Sequence, residues 1–166
     1  MNILKSTTAK GKLASLDVEN LFTNVPVNET KDIIINRSYN RPTIKPPVIP
    51  KATLKQLLKT CTTETPFVHI DGSVFVQVDG VSMGSPLSPM FSNFYMANLE
   101  NESFEDPNSN LKPPVYCRYV DDIFIIIEND QKLDAIKQHF ENNSVLNSHM
   151  NYTTSKLNSL LRCQDF

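Results

Sequence analysis

The sequence predicts an α+β fold, with helices packed on an antiparallel sheet. Two pairs of β-rich runs close into hairpins, at 67–78 and 115–127. Apolar residues recur at helical spacing between and after them, and the order of elements is mixed rather than a regular strand–helix alternation. At 166 residues the chain is long enough for one domain with its own core.

Lys12–Val18 reads as a short strand that carries Asp17 near its end. Residues 24–28 form a turn around Pro26, and Asn28 is placed to cap a helix over 28–39, with Glu29 in its first turn. Pro42, Pro46, Pro47 and Pro50 mark a connecting loop. Leu54, Leu57 and Leu58 then give a second helix over 53–60. Asp71-Gly72 is a strong turn signal inside the first hairpin. Gly80 and Gly84 bracket a loop that needs unusual backbone angles or a close ligand approach. Ser85-Pro86 and Ser88-Pro89 are both helix-start signals, a serine cap followed by proline at the first helical position. Leu87, Met90, Phe91, Phe94 and Ala97 carry the helix to about residue 103. After a second connector at Pro107, Pro113 and Pro114, the apolar strands 115–120 and 123–127 meet at Asp121-Asp122. Leu133, Ile136, Lys137 and Phe140 form one stripe of a helix over 131–142, and 150–154 reads as a last strand.

Composition is that of an ordinary globular protein, 40% hydrophobic and 20% charged. The formal net charge of −2 does not mark a nucleic-acid binder, whose domains are usually basic. Cys61, Cys117 and Cys163 are far apart and odd in number, so neither a zinc site nor a disulfide framework is indicated, and an intracellular setting is the default. The first twelve residues lack the apolar stretch of a signal peptide. The longest apolar run, 123–127, is far too short to span a bilayer, so no membrane partner is expected. His69, His139 and His149 show no metal-ligand spacing and read as structural or surface residues.

The carboxylates are more informative. Asp121 and Asp122 are adjacent at the tip of an apolar hairpin, where they repel each other and resist desolvation. Solvent offsets this if the turn is exposed, and aspartate is common in turns. A divalent cation offsets it too, because magnesium favours hard oxygen ligands and takes the rest of its shell from water and phosphates. Asp17 supplies a third carboxylate at a strand end. Alone it is unremarkable, but with Asp121 it matches what a two-metal phosphoryl-transfer site requires.

Tyr119-Val120-Asp121-Asp122 resembles the YVDD box of reverse transcriptases, motif C of the polymerase palm. The run 17–22, DVENLF, resembles motif A, with Phe22 at the position of the aromatic steric gate. The run 80–89, GVSMGSPLSP, resembles motif B. Methionine at Met83, where many reverse transcriptases carry glutamine, and the segments flanking these boxes resemble Penelope-like retroelements, relatives of telomerase reverse transcriptase. The three boxes stand in the family's order, and the likeness runs from about residue 12 to 152.

The resemblance implies a palm over 12–154 in a single partial reverse transcriptase domain, with 155–166 matching poorly. It implies RNA-directed DNA synthesis, with an RNA template, a DNA primer and deoxynucleoside triphosphates as partners. Asp17, Asp121 and Asp122 would be catalytic and hold two Mg2+ ions, with Mn2+ as a substitute. Phe22 would select the sugar, and Met83, Gly84, Ser85 and Pro86 would contact the nascent base pair. Val18, through its backbone, and Tyr119 would add to the substrate site. Family members carry fingers before motif A and a thumb after the palm, both expected to be largely missing from this chain. Two readings therefore stay open, a truncated retroelement polymerase and a remnant without activity. Two rivals of another class fare worse. An RNA-binding module would carry an RNP consensus, and none is found. A plain α+β interaction protein requires all three boxes to be coincidence.

Overall fold

A computed structural model describes residues 11–40, 45–105, 109–144 and 150–156. Its elements in chain order are β1 (Lys12–Val18), α1 (Leu21–Asn24), α2 (Val27–Tyr39), α3 (Lys51–Thr62), β2 (Pro66–Val68), β3 (Val74–Val76), α4 (Ser88–Phe104), β4 (Val115–Tyr119), β5 (Asp122–Ile127), α5 (Asp130–Asn143) and β6 (Met150–Lys156). The mixture of helices with antiparallel sheet is the predicted class. The chain divides into two units, Met1–Glu19 with Asn101–Phe166, and Asn20–Glu100.

The first unit is built on a four-stranded sheet of order β4-β5-β1-β6, antiparallel throughout. Alternation along β1 buries Ala14, Leu16 and Val18 and leaves Ser15 and Asp17 exposed. The register sets Leu16 opposite Ile123 and Ala14 opposite Ile125, so the buried side chains of both strands share a face. On α5, Leu133, Ile136 and Phe140 recur at helical spacing and are buried. Phe104 packs edge-on against Tyr116 at 5.0 Å and lies 5.8 Å from the Phe140 ring. Burying each large apolar side chain contributes about 1.5–3 kcal/mol. The α5 helix starts one residue earlier than its apolar stripe suggested, because the Asn129 side chain caps it, accepting from the Lys132 N–H at 2.9 Å.

The second unit holds α1 to α3, the β2–β3 hairpin and most of α4. Asn28, expected to cap α2, lies inside the helix. The cap residue is Pro26, which has no side-chain acceptor. The Val27 N–H instead donates to Asp79 Oδ1 at 3.0 Å, from a loop distant in sequence. The hairpin is shorter than the alternating pattern implied. Asp71 and Gly72 belong to a five-residue connection in which the His69 N–H donates to the Ser73 carbonyl at 2.8 Å. Asp71 Oδ1 accepts from the Ser73 N–H at 2.8 Å. Of the two Ser-Pro signals, the second starts α4. At the first, Ser85 Oγ accepts from the Leu87 N–H at 3.3 Å and the Ser85 carbonyl from the Ser88 N–H at 3.1 Å, which makes a turn. Among the described residues no helix is long and apolar enough to cross a membrane.

Candidate active site

β1 and β5 bring the predicted carboxylates to one end of the first unit's sheet. Asp17 is directly opposite Asp122 in the antiparallel register. Opposed residues point to the same face with Cβ atoms about 4.5–5.5 Å apart. Both side chains are on the exposed face, away from Leu16 and Ile123. Asp121 follows in the tight turn, and its carbonyl accepts the Val18 N–H at 3.1 Å, which ties the end of β1 to the turn. That N–H, a candidate for contacting a phosphate, is thereby engaged, and the Val18 side chain is buried. The Asp17 carboxyl is held above the usual carboxylate range, first by partial desolvation at the strand end and then by the charges of Asp121, Asp122 and Glu19. Like charges directly opposed on a sheet are destabilising. Such an arrangement marks a site where something other than stability sets the residue choice.

The turn itself is strained. Tyr119 pairs with Asp122, leaving Val120 and Asp121 as the two central residues. Val120 has φ of +57°, a left-handed conformation that β-branched residues rarely adopt. Strain of this kind costs about 1–3 kcal/mol and persists only where the surroundings enforce it. Arg118 supplies part of that enforcement, because its guanidinium donates to the Val120 carbonyl at 2.9 Å. Nothing in the local pattern singles out Arg118. Its role appears once the turn closes back on the strand. Tyr119 stands 80% exposed beside the turn.

The donor set suits a hard divalent cation, being carboxylate oxygens, with that of Asp17 held above its ordinary range by desolvation and by its neighbours' charges. Among the described residues, no group of three or more His, Cys, Asp and Glu side chains is arranged to hold a metal ion. That is compatible with magnesium, which is commonly bound through one or two carboxylates and completes its shell with water and substrate phosphates.

The other predicted residues are in the second unit. Phe22 is half-buried on α1, and its carbonyl accepts the Val81 N–H at 2.7 Å. This bond stitches α1 to the glycine-bracketed loop. Gly80, at φ +72°, is demanded by packing within the chain. A Cβ there would sit 2.4 Å from the Thr23 carbonyl oxygen. The Thr23 backbone thus comes close to Gly80. Gly84, at φ +94°, has open space around it. Met83 is 69% exposed, Gly84 and Pro86 are exposed, and Ser85 is half-buried. The Ser88 hydroxyl donates to the Ser82 carbonyl and fixes the loop to the start of α4. A cavity of about 160 Å³ opens beside it, lined by Thr65, Phe67, Gln77, Val81, Ser82 and Ser85 among others.

A family model described as reverse transcriptase (RNA-dependent DNA polymerase) matches residues 1–160. No curated protein matches the chain in sequence. Apo telomerase from Candida tropicalis, truncated from its C-terminal domain, superposes with a TM-score of 0.65 at 15% identity, covering 93% of this chain and 32% of that one. Telomerase from Candida albicans in complex with the TWJ fragment of telomeric RNA gives a TM-score of 0.66 at 9% identity, covering 90% and 28%. Apo telomerase from Candida tropicalis gives 0.66 at 14% identity, covering 95% and 30%. At these identities the likeness is one of fold, and the chain spans about a third of the length of each telomerase. With the family model covering nearly all of it, the chain belongs to the reverse transcriptase (RNA-dependent DNA polymerase) family.

Proposed function

We propose that this chain is the palm of a Penelope-like retroelement polymerase, over about 12–154, and that it extends a DNA primer on an RNA template. The observation that carries the proposal is the meeting of Asp17, Asp121 and Asp122 at one end of a single sheet, with Asp17 opposite Asp122 and its ionisation opposed by both neighbours. Methionine at Met83 and the segments flanking the boxes, 16–27 and 61–67, support the Penelope-like assignment.

Asp17, Asp121 and Asp122 would hold two magnesium ions, which manganese can replace. When bound, the ions lower the pKa of the primer 3′-hydroxyl and neutralise charge on the pyrophosphate leaving group. The protein's part is to hold the carboxylates in place. β1 and β5 are rigid paired strands, and the Val18–Asp121 hydrogen bond fixes the turn to them. Phe22 would exclude a 2′-hydroxyl and so select deoxynucleotides. Met83, Gly84, Ser85 and Pro86 would contact the nascent base pair, and Tyr119 would add to the substrate site.

The test is extension of a labelled DNA primer on an RNA template with deoxynucleoside triphosphates and magnesium. The chain should add nucleotides, and Asp121→Ala should lower the rate by about 10²–10³-fold or more, the equivalent of several kcal/mol of lost charge stabilisation. Extension by Asp121→Ala at the unsubstituted rate would refute the assignment. No extension by either protein would favour the catalytically inactive remnant.

A further inference from the structure

The α2–α3 face carries a largely buried lysine. Lys31 on α2 is only 6% exposed. It lines a cleft of about 420 Å³ together with Asn28, Asp32, Lys55, Gln56 and Lys59. Ligand sites commonly fall between about 300 and 1,000 Å³. Lys55 is paired with Asp32 at 3.4 Å, and Lys59 with Glu64 at 2.7 Å. The Lys31 amine has no hydrogen-bond or ion-pair partner among the described residues. The Lys31 side chain is largely withdrawn from water and lines the cleft, so an anion entering there meets a poorly solvated cation. Burial, followed by the charges of Lys59 and Lys55, pushes the Lys31 pKa below the ordinary lysine value, while Asp32 and Glu64 act the other way. Asn28 is in the first turn of a 13-residue helix, whose N-terminal end is favourable to anions.

We infer that the α2–α3 cleft binds a phosphate of a nucleic-acid backbone, with Lys31, Lys55 and Lys59 as cationic contacts and Asn28 and Gln56 as amide donors. Lysine ammonium groups and side-chain amides are ordinary phosphate contacts, and they carry no sequence preference. The choice of a phosphodiester rests on the polymerase reading above, which places an RNA–DNA hybrid on this protein. The cleft shares no residue with the carboxylate site, so it would add grip without touching the chemistry.

The experiment is fluorescence anisotropy of a labelled RNA–DNA hybrid against the full chain between 50 and 200 mM salt, roughly the range over which phosphate contacts are exposed by screening. Lys31→Met keeps the apolar stem and removes the charge. It should weaken binding about 3–10-fold and reduce the slope of log K against log salt by about 1. Lys31→Arg should retain the slope. The Lys55→Met/Lys59→Met pair should flatten it as well and serves if Lys31→Met does not fold. An unchanged affinity and slope in folded Lys31→Met overturns the inference. So does a cleft whose Asn28, Lys31 and Gln56 NMR signals move with inorganic phosphate while hybrid binding is indifferent to Lys31→Met, since the ligand is then a small anion. Primer extension separates the two readings. If Asp121→Ala abolishes extension while Lys31→Met leaves binding intact, only this inference fails. If the chain never extends a primer but Lys31→Met still flattens the salt slope, only the polymerase reading fails.

Discussion

Asp17 and Asp122 are direct partners in the antiparallel register of β1 and β5, so two carboxylates share one face of the sheet with Asp121 in the adjoining turn. Asp17→Asn removes one of the opposed charges. Because the Asp17 carboxyl is raised above 3.8, the native state holds its proton more tightly than the unfolded chain does, and ionisation costs stability. That cost is complete above the native pKa and absent below 3.8, the unfolded value. Asp17→Asn should therefore be the more stable protein at pH 7. A cross-strand pair is worth about 0.2–1 kcal/mol, and solvent screening at this exposed position favours the low end. The gain is about 1–2 °C in Tm for a chain of this size. Thermal melts from pH 7 to pH 3 should show the gap closing as the pH falls through the native pKa. A gap that widens on acidification would contradict the assignment.

The same repulsion predicts metal-dependent stability. A cation that binds the folded carboxylates and not the unfolded chain stabilises by mass action, about 2.7 kcal/mol at a hundred times its Kd. Saturating manganese or magnesium should raise the Tm of the chain by about 5–10 °C. Asp121→Asn should lose most of that rise while melting at or above the parent temperature in chelator. Differential scanning fluorimetry with a metal series decides it, and equal shifts in both proteins would place the cation elsewhere.

How much of this was legible in the sequence follows from which interactions are local. α3, α4 and α5 show in apolar periodicity, since burial on one face is written directly at a spacing of 3.6, and α2 shows in the turn and first-turn charge at its start. Their ends shift by one or two residues for reasons the local pattern does not contain. Asp79 caps α2 from fifty-two residues away. The boxes around Asp17, Phe22 and Asp121 were visible as motifs, and the register of β1 against β5 then places the carboxylates together. Arg118, Asp79 and the lysine cleft were not visible. Each depends on a contact that exists only once distant segments meet. Gly80 was visible as a special position, but its partner, the Thr23 backbone, was not.

Arg118 and Val120 form a second testable pair. Arg118→Ala removes a charge-assisted hydrogen bond from the carbonyl of a strained residue. Such bonds contribute about 1.5–3 kcal/mol, and the lower figure suits this half-buried site, giving a fall of about 3–6 °C in Tm. Glycine adopts positive φ without steric cost, so Val120→Gly should relieve the turn and make the arginine less necessary. A double-mutant cycle should show the Arg118→Ala penalty shrinking in the Val120→Gly background. Additive effects would mean that the guanidinium stabilises something other than the turn.

Asp79 and Gly80 give the last prediction, because two adjacent residues join the glycine loop to α1 and α2 by different means. Asp79 Oδ1 accepts from both the Val27 N–H at 3.0 Å and the Gly80 N–H at 2.9 Å. Asp79→Ala strands the first donor of α2, and loss of such a cap costs about 0.5–2 kcal/mol. Asp79→Asn keeps an acceptor oxygen and should restore most of the loss. Gly80→Ala acts through space instead. Its methyl group would fall 2.4 Å from the Thr23 carbonyl oxygen at a positive φ, so backbone must move. The cost should exceed that of Asp79→Ala, at about 2–4 kcal/mol, since strain at a left-handed position adds to the clash. Urea titrations with a common m-value would measure both. The ordering is the decisive result. If Gly80→Ala is milder than Asp79→Ala, the loop is loose enough to yield, and its attachment to α1 through Phe22 and Val81 is weaker than the 2.7 Å hydrogen bond implies.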